Sequence, residues 1–136
     1  MRIMEALKAK ITRGLNQGSY IETCDNSGAK MVKIVSIINR KTRKGQKPAA
    51  GVGDLVLVAV KKGTPEMRKT VTYATIVRQK REYRRADGTR IKFEDNAVVI
   101  LKDEDGNPKG TIFKGPIAKE AADRWPGVLK VARVIL

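Results

Sequence analysis

Apolar residues in this chain fall into short β-branched runs rather than at helical spacing. Residues 31–38 (MVKIVSII), 54–60 (DLVLVAV), 71–77 (VTYATIV) and 97–101 (AVVIL) each read as a strand. Branched and aromatic side chains suit a pleated, half-buried surface. A further strand is expected around Tyr20 to Cys24. Glycine-containing turns bound these runs: Asp25-Asn26-Ser27-Gly28, Gly51-Val52-Gly53, Lys62-Gly63, Asp87-Gly88 and Asp105-Gly106. Short strands with turns at this density predict a mainly β chain, a small barrel or a sandwich. Some runs are apolar almost without alternation, as expected if a closed barrel packs further elements against its outside.

The two ends follow another pattern. Ile3, Met4, Leu7 and Ile11 share a helical face near the N-terminus, and Gly14 and Gly18 separate that segment from the first strand. Near the C-terminus, Pro116 suits the first turn of a short helix through residues 117–122, which Trp125-Pro126-Gly127 interrupts. The last nine residues, VLKVARVIL, fit helix or strand on periodicity alone, and Pro126 as a helix start favours helix. With 136 residues, the chain is long enough for one domain with a core of its own, and 41% hydrophobic content sets it apart from a disordered basic tail.

Charge changes the picture most. The chain has 29 Lys and Arg against 14 Asp and Glu, a formal net charge of +15. Such an imbalance repels itself in a compact monomer and is best tolerated where a polyanion neutralises it. Nucleic acid is the commonest such partner, because each neutralised phosphate also releases a condensed counterion. A membrane surface would call for an anchor helix, a lipidation signal or an apolar run of about 20 residues, and the sequence predicts none of these. The N-terminus also lacks the apolar stretch of a secretory signal. A single cysteine, Cys24, excludes an intrachain disulfide and fits a reducing, cytoplasmic compartment.

Composition removes most chemistry. There is no histidine, hence neither the usual general base nor the commonest metal ligand. Residues 63–70, GTPEMRKT, imitate a phosphate loop, but Arg68 replaces its second glycine and Pro65 removes an amide donor. Asp103, Asp105 and Asn107 imitate a calcium loop, but Pro108 and Lys114 stand where its glycine and bidentate glutamate belong. With no nucleophile–base pair and no motif for a cofactor, an enzyme is the weakest reading.

Two concentrations of positive charge remain. The first is the loop RKTRKGQK, with Arg40, Lys41, Arg43, Lys44 and Lys47 and no acid. The second spans residues 76–93, two strand-like arms meeting at Asp87-Gly88. There Arg78, Lys80, Arg81, Arg84, Arg85, Arg90 and Lys92 face only Glu82 and Asp87, so 7 − 2 leaves +5, and Arg68 and Lys69 are expected to add to it. Only six aromatic residues are present, and Tyr20, Tyr73 and Phe93 are expected to pack in strands, leaving Tyr83 as the one candidate for stacking on a base. Single-strand binders need exposed aromatics. A free translation or transcription factor built on a single-strand-binding barrel is therefore disfavoured, and recognition of folded RNA through phosphates and shape fits better. Cys24 reads as a small buried hydrophobe. Trp125 is expected to anchor the C-terminal segment, or with Val128, Leu129 and Val131 to form a patch for a protein partner.

Four stretches carry a family likeness: DNSGAK at 25–30, GVGDLVLVAVKKGTPEMRK at 51–69, VRQKREYRRADGTRIKFEDNAVVIL at 77–101 and GPIAKE at 115–120. In this order and spacing the chain closely resembles the universal large-subunit ribosomal protein fourteen family. KGTPEMRK and KEAADRWP place it with the archaeal and eukaryotic branch. The resemblance implies a five-stranded β-barrel with a projecting β-ribbon and short C-terminal helices. The chain would then divide into an N-terminal extension (1–17), the barrel (18–115) and a C-terminal helical segment (116–136). It also implies binding to large-subunit rRNA, contact with small-subunit rRNA in an intersubunit bridge, and packing against neighbouring ribosomal proteins. In this branch the C-terminal region is a surface to which the anti-association initiation factor six docks. Arg78, Lys80, Arg81, Arg84 and Arg85 fall on the family's rRNA-facing motif. Ala86 departs from it, standing where many members have proline before Asp-Gly.

Overall fold

The computed structural model describes residues 11–38 and 48–136; the amphipathic segment expected over residues 3–10 and the basic loop lie outside them. The elements in chain order are β1 (Leu15–Asn16), β2 (Tyr20–Thr23), β3 (Ala29–Ile37), β4 (Ala49–Ala50), β5 (Leu55–Gly63), β6 (Val71–Arg78), β7 (Tyr83–Arg84), β8 (Arg90–Ile91), β9 (Ala97–Leu101), α1 (Lys119–Arg124) and α2 (Pro126–Val131). Strands β2-β3-β5-β6-β9 form a closed barrel, and β1 with β4 and β7 with β8 form two small ribbons. Each strand run read from the sequence is a strand, with ends displaced by no more than three residues. Residues 15–16, assigned to an extension, instead pair with residues 49–50.

Alternation builds the barrel interior. Val32 lies opposite Val60, Ile34 opposite Val58, Val56 opposite Ala74 and Ala74 opposite Ile100, so rows of branched side chains meet inside. All of these are buried. Register shifts in the β3–β5 ladder and between Ile76 and Arg78 add the local twist and bend that closing five strands demands. The ring is sealed by a parallel pairing of β2 with β9, Glu22 opposite Ala97 and Thr23 opposite Val98. Beyond it, the Asp25 carboxylate accepts from the Ile100 amide at 2.9 Å and the Ser27 hydroxyl at 2.8 Å, which ties the Asp-Asn-Ser-Gly turn to β9.

Strand β9 and the second half of β6 are buried on both faces, which explains their unbroken apolar character. The covering layer is the C-terminal segment. Trp125, fully buried, donates its indole N–H to the Gly53 carbonyl at 2.9 Å. Its ring lies so close to Gly106 that a Cβ there would stand 2.4 Å from it, and Gly106 has φ +93. Only glycine satisfies both the ring and the turn. Helix α1 begins at Lys119, three residues past Pro116, whereas Pro126 opens α2 as the sequence suggests. After Val131 the chain turns extended. Ile117 donates to the Val134 carbonyl and Leu136 to the Ile117 carbonyl, at 2.8 and 3.0 Å. The last nine residues are thus helix first and strand-like afterwards, because the Ile117 main chain offers hydrogen bonds that one more helical turn would not.

Replacing Trp125 with alanine is expected to destabilise the fold by about 3–5 kcal/mol, the usual cost of emptying a buried aromatic site. Chemical denaturation of the variant against the parent chain measures it; a loss below about 1 kcal/mol would mean that Trp125 does not anchor the segment.

Candidate nucleic-acid interface

The charged arm is built by a change of direction at the end of β6. Gln79 is wholly buried, and its side chain is used on all sides. Nε2 donates to the Thr12 and Arg81 carbonyls, both at 2.9 Å, and Oε1 accepts from the Val52 amide at 3.1 Å. The paired arms that follow are only Tyr83–Arg84 and Arg90–Ile91, much shorter than residues 76–93 suggest. At the tip, the Gly88 amide donates to the Arg85 carbonyl at 2.9 Å and the Thr89 amide to the Asp87 carboxylate at 2.9 Å. Gly88 has φ +92, the left-handed position that closes a three-residue hairpin loop. The Thr89 amide holds the Asp87 carboxyl below its ordinary range. Ala86 in place of proline leaves this turn formed.

The fold sorts the seven cations of the arm into two groups. Lys80, Arg81, Arg84, Arg90 and Lys92 are exposed. Arg90 approaches Glu82 at 3.6 Å, an exposed pair that contributes little. Arg78 and Arg85 face inward, a correction to their placement among the RNA-facing residues. Arg78 is 8% exposed and grips Asp95 with two hydrogen bonds, at 2.9 and 3.1 Å. Its other nitrogen donates to the Lys114 and Pro116 carbonyls. This fork geometry staples three segments together.

Arg85 belongs to a second buried cluster. Glu120 on α1 is 6% exposed and accepts from the Tyr83 hydroxyl at 2.7 Å and from Arg85 Nε at 3.0 Å. Arg85 Nη2 also donates to the main-chain oxygen of Leu136. Burial, then the hydrogen bond to Glu120, holds the Tyr83 phenol above its ordinary range. Desolvation acts against the Arg85 charge, but the Glu120 carboxylate outweighs it and the net shift is upward. Tyr83, at 1% exposure, is therefore a strut between ribbon and helix and has no face free for a base. Tyr20, expected in the core, is instead 58% exposed on the barrel's outside, with the Lys33 ammonium 5.8 Å from its ring.

The remaining sequence-derived positions scatter. Arg40, Lys41, Arg43, Lys44 and Lys47 lie outside the described residues. Ile38, the last described residue before that segment, donates to the Leu55 carbonyl, at the end of the barrel that carries the ribbon. Arg68 and Lys69 are exposed but precede β6, whereas the ribbon follows it; seven strand steps separate the two by about 23 Å. They do not extend the ribbon's charge. In the suggested protein-partner patch, Trp125 and Val128 are buried, Val131 is half-buried and Leu129 alone is exposed. The exposed apolar residues of this region that sequence reasoning missed are Val134, Ile135 and Leu136. It also missed Lys30, Lys62 and Lys114, cations far apart in sequence that line one groove.

Catalytic chemistry has little to work with. Burial pushes the Cys24 thiol up to about 12, so it is protonated and inert at neutral pH. Asp103 accepts from the Asp105 amide at 3.0 Å and the Asn107 side chain at 3.1 Å, closing a turn with its own neighbours. Among the described residues no group of three or more Cys, Asp or Glu side chains is placed to hold a metal ion.

A closed barrel with cations on a braced ribbon defines a protein of the class that offers a charged face to a polyanion. The chain belongs to the ribosomal protein L14p/L23e family, whose model matches residues 14–136. It is 53% identical over 133 residues to the large ribosomal subunit protein uL14 of Nanoarchaeum equitans, covering 98% of this chain and all of that one. It is 54% identical over 132 residues to the protein of the same name from Methanococcus maripaludis (strain DSM 14266), covering 97% of this chain and 99% of its relative. The Methanococcus vannielii protein of that name is 53% identical over 132 residues, with the same coverage. These relatives bear out the family and the archaeal character read from the motifs.

Two outcomes follow from the buried groups. Glu120→Gln removes the charge that holds Arg85, and is expected to cost about 1–3 kcal/mol in denaturant unfolding; no loss would show that the cluster does not brace the fold. Stability is also expected to fall as pH rises through the range from 9 upward, where the unfolded Cys24 thiol (ordinary value 9.0) ionises while the folded one, near 12, stays protonated, with Tyr83 adding to the loss above 10. Cys24→Ala should flatten the first part of that decline in melts taken across the series.

Proposed function

We propose that this chain is a structural, non-enzymatic constituent of the cytoplasmic large ribosomal subunit, which binds large-subunit rRNA by holding phosphates against a braced basic ribbon. The observation that carries this reading is the sorting of charge on the arm. Lys80, Arg81, Arg84, Arg90 and Lys92 are exposed, while Arg78 and Arg85 are tied to Asp95 and Glu120 and hold the ribbon in place. Long cations on a short, fixed hairpin suit phosphates of an already folded RNA. Such contacts fix register without reading bases. Specificity then lies in the shape of the RNA. Membership of the family supports the same assignment.

Finer contacts follow from the family likeness. The ribbon end faces rRNA, the charge of Arg40, Lys41, Arg43, Lys44 and Lys47 suits further phosphate contacts, and part of the exposed surface meets small-subunit rRNA in an intersubunit bridge. Neighbouring ribosomal proteins and the anti-association initiation factor six fit the C-terminal surface, where Leu129, Val134, Ile135 and Leu136 are 45%, 49%, 40% and 55% exposed.

With roughly six phosphates engaged, affinity for structured RNA is expected to fall about a thousandfold between about 50 and 200 mM salt. Lys80→Gln, Arg81→Gln and Arg84→Gln together should lower the log–log salt slope by about three, one per lost phosphate contact. A salt-insensitive affinity, or a slope unmoved by the triple variant, would overturn the phosphate-holding ribbon.

A further inference from the structure

We propose that Gln79 is a positioning residue that fixes the direction of the basic ribbon and so makes it selective for folded RNA over a flexible strand. This role rests on the RNA-binding reading above and deepens it, because Gln79 is wholly buried and acts only through the arm it holds.

The ribbon cannot hold a direction by itself. Its paired strands are two residues each, Tyr83 opposite Ile91 and Arg84 opposite Arg90. A two-stranded hairpin is at best marginally stable in water. One support is α1, which the arm reaches through Glu120. The other is the point where the chain leaves the barrel. There the Gln79 carbonyl accepts from the Phe93 amide at 3.0 Å, closing the base of the arm, and the Lys80 amide donates to Asn96 Oδ1 at 2.8 Å.

The Gln79 side chain joins three segments at that base. Nε2 donates to the Arg81 carbonyl inside the arm and to the Thr12 carbonyl, while Oε1 accepts from the Val52 amide in the turn after β4. The last two segments are themselves joined: Leu15 lies opposite Ala50, and the Gln17 amide donates to the Pro48 carbonyl at 3.0 Å. Two glycines let them close on the arm. A Cβ on Gly14 would stand 2.7 Å from Arg81 Cβ. One on Gly51 would stand 2.8 Å from Ile11 Cγ2 and 3.1 Å from Gln79 Oε1. Apolar packing is non-directional and would tolerate several arm directions. A buried polar network that is fully satisfied specifies one.

A fixed arm presents Lys80, Arg81 and Arg84 at a set spacing. Folded RNA also has its phosphates at a set spacing, so neither partner needs ordering when they meet. A flexible strand adapts to a fixed arm or a loose one. Loosening the arm therefore weakens duplex binding more than strand binding, and leaves the number of phosphates engaged unchanged.

Affinities of the full chain for a blunt RNA duplex and for a poly(U) strand with the same number of phosphates, taken over a salt series, test this. Gln79→Met keeps the size of the side chain and removes its three hydrogen bonds. It is expected to lower the duplex-to-strand affinity ratio about tenfold, as ordering costs return, with the duplex salt slope unmoved. Hydrogen exchange at the Phe93 amide should quicken alongside. Gly14→Ala presses on Arg81 without removing Gln79, should lower the ratio in the same direction, and decides the matter if Gln79→Met does not fold. An unchanged ratio in the folded variants, or a ratio that falls together with the salt slope, overturns the positioning role and leaves the ribbon reading standing. A salt slope unmoved by Lys80→Gln/Arg81→Gln/Arg84→Gln overturns the ribbon reading instead.

Discussion

Closure of the barrel through β2 and β9 is the constraint on which the rest of the molecule depends. That seam is short, with Glu22 and Thr23 opposite Ala97 and Val98, and it is the barrel's one parallel pairing. Without it the five strands would be an open sheet with two unpaired edges, and the side chains of Ile21, Val32, Val56 and Ile100 would share no common interior. The Cys24 amide extends the seam by donating to the Val98 carbonyl, and Asp25 extends it again through the Ile100 amide. Burial pushes the Asp25 carboxyl above its ordinary range, and the hydrogen bonds from Ile100 and Ser27 offset only part of that cost. The DNSG motif is therefore a clasp that ties the turn after β2 to β9.

A closed ring in turn decides which charges are free. A chain at +15 cannot expose every cation evenly and stay indifferent to its own repulsion. The fold commits Arg78 to the half-exposed Asp95 carboxylate and Arg85 to the buried Glu120, and each of these pairs binds segments far apart in sequence. Arg78 joins the end of β6 to residues 95, 114 and 116. Arg85 joins the ribbon to α1 and to Leu136. Both guanidiniums thereby brace the surfaces from which Lys80, Arg81 and Arg84 project. The exposed apolar C-terminal residues and the ribbon share one frame, because Arg85 is bonded both to Glu120 and to Leu136.

Much of this was legible in the chain. The β-branched runs marked every barrel strand, because their side-chain preferences are local. Asp87-Gly88 and Asp25-Asn26-Ser27-Gly28 marked turns, because the chemistry that closes them lies within four residues. Pro126 marked the start of α2. Misreadings came where a residue's environment is set by distant segments. Tyr83 looked like a base-stacking aromatic among arginines, and only Glu120, 37 positions on, shows it to be a buried strut. Arg68 and Lys69 looked close to the ribbon because they shortly precede it in sequence, yet the eight-residue strand β6 runs between them. The last residues switched from helix to an extended run because the Ile117 backbone lay waiting beside them.

What the sequence determined by itself was the kind of object: a small β fold, strongly cationic and without histidine, whose motifs point to one family. Strand propensity, turn chemistry and net charge are properties of residues and their near neighbours, and they survive without a third dimension. The tertiary structure alone decided which cations face solvent and which are locked to Asp95 and Glu120. Those outcomes depend on register and closure. A single step of strand register reverses the face on which every side chain lies, and no local pattern of charge encodes that step.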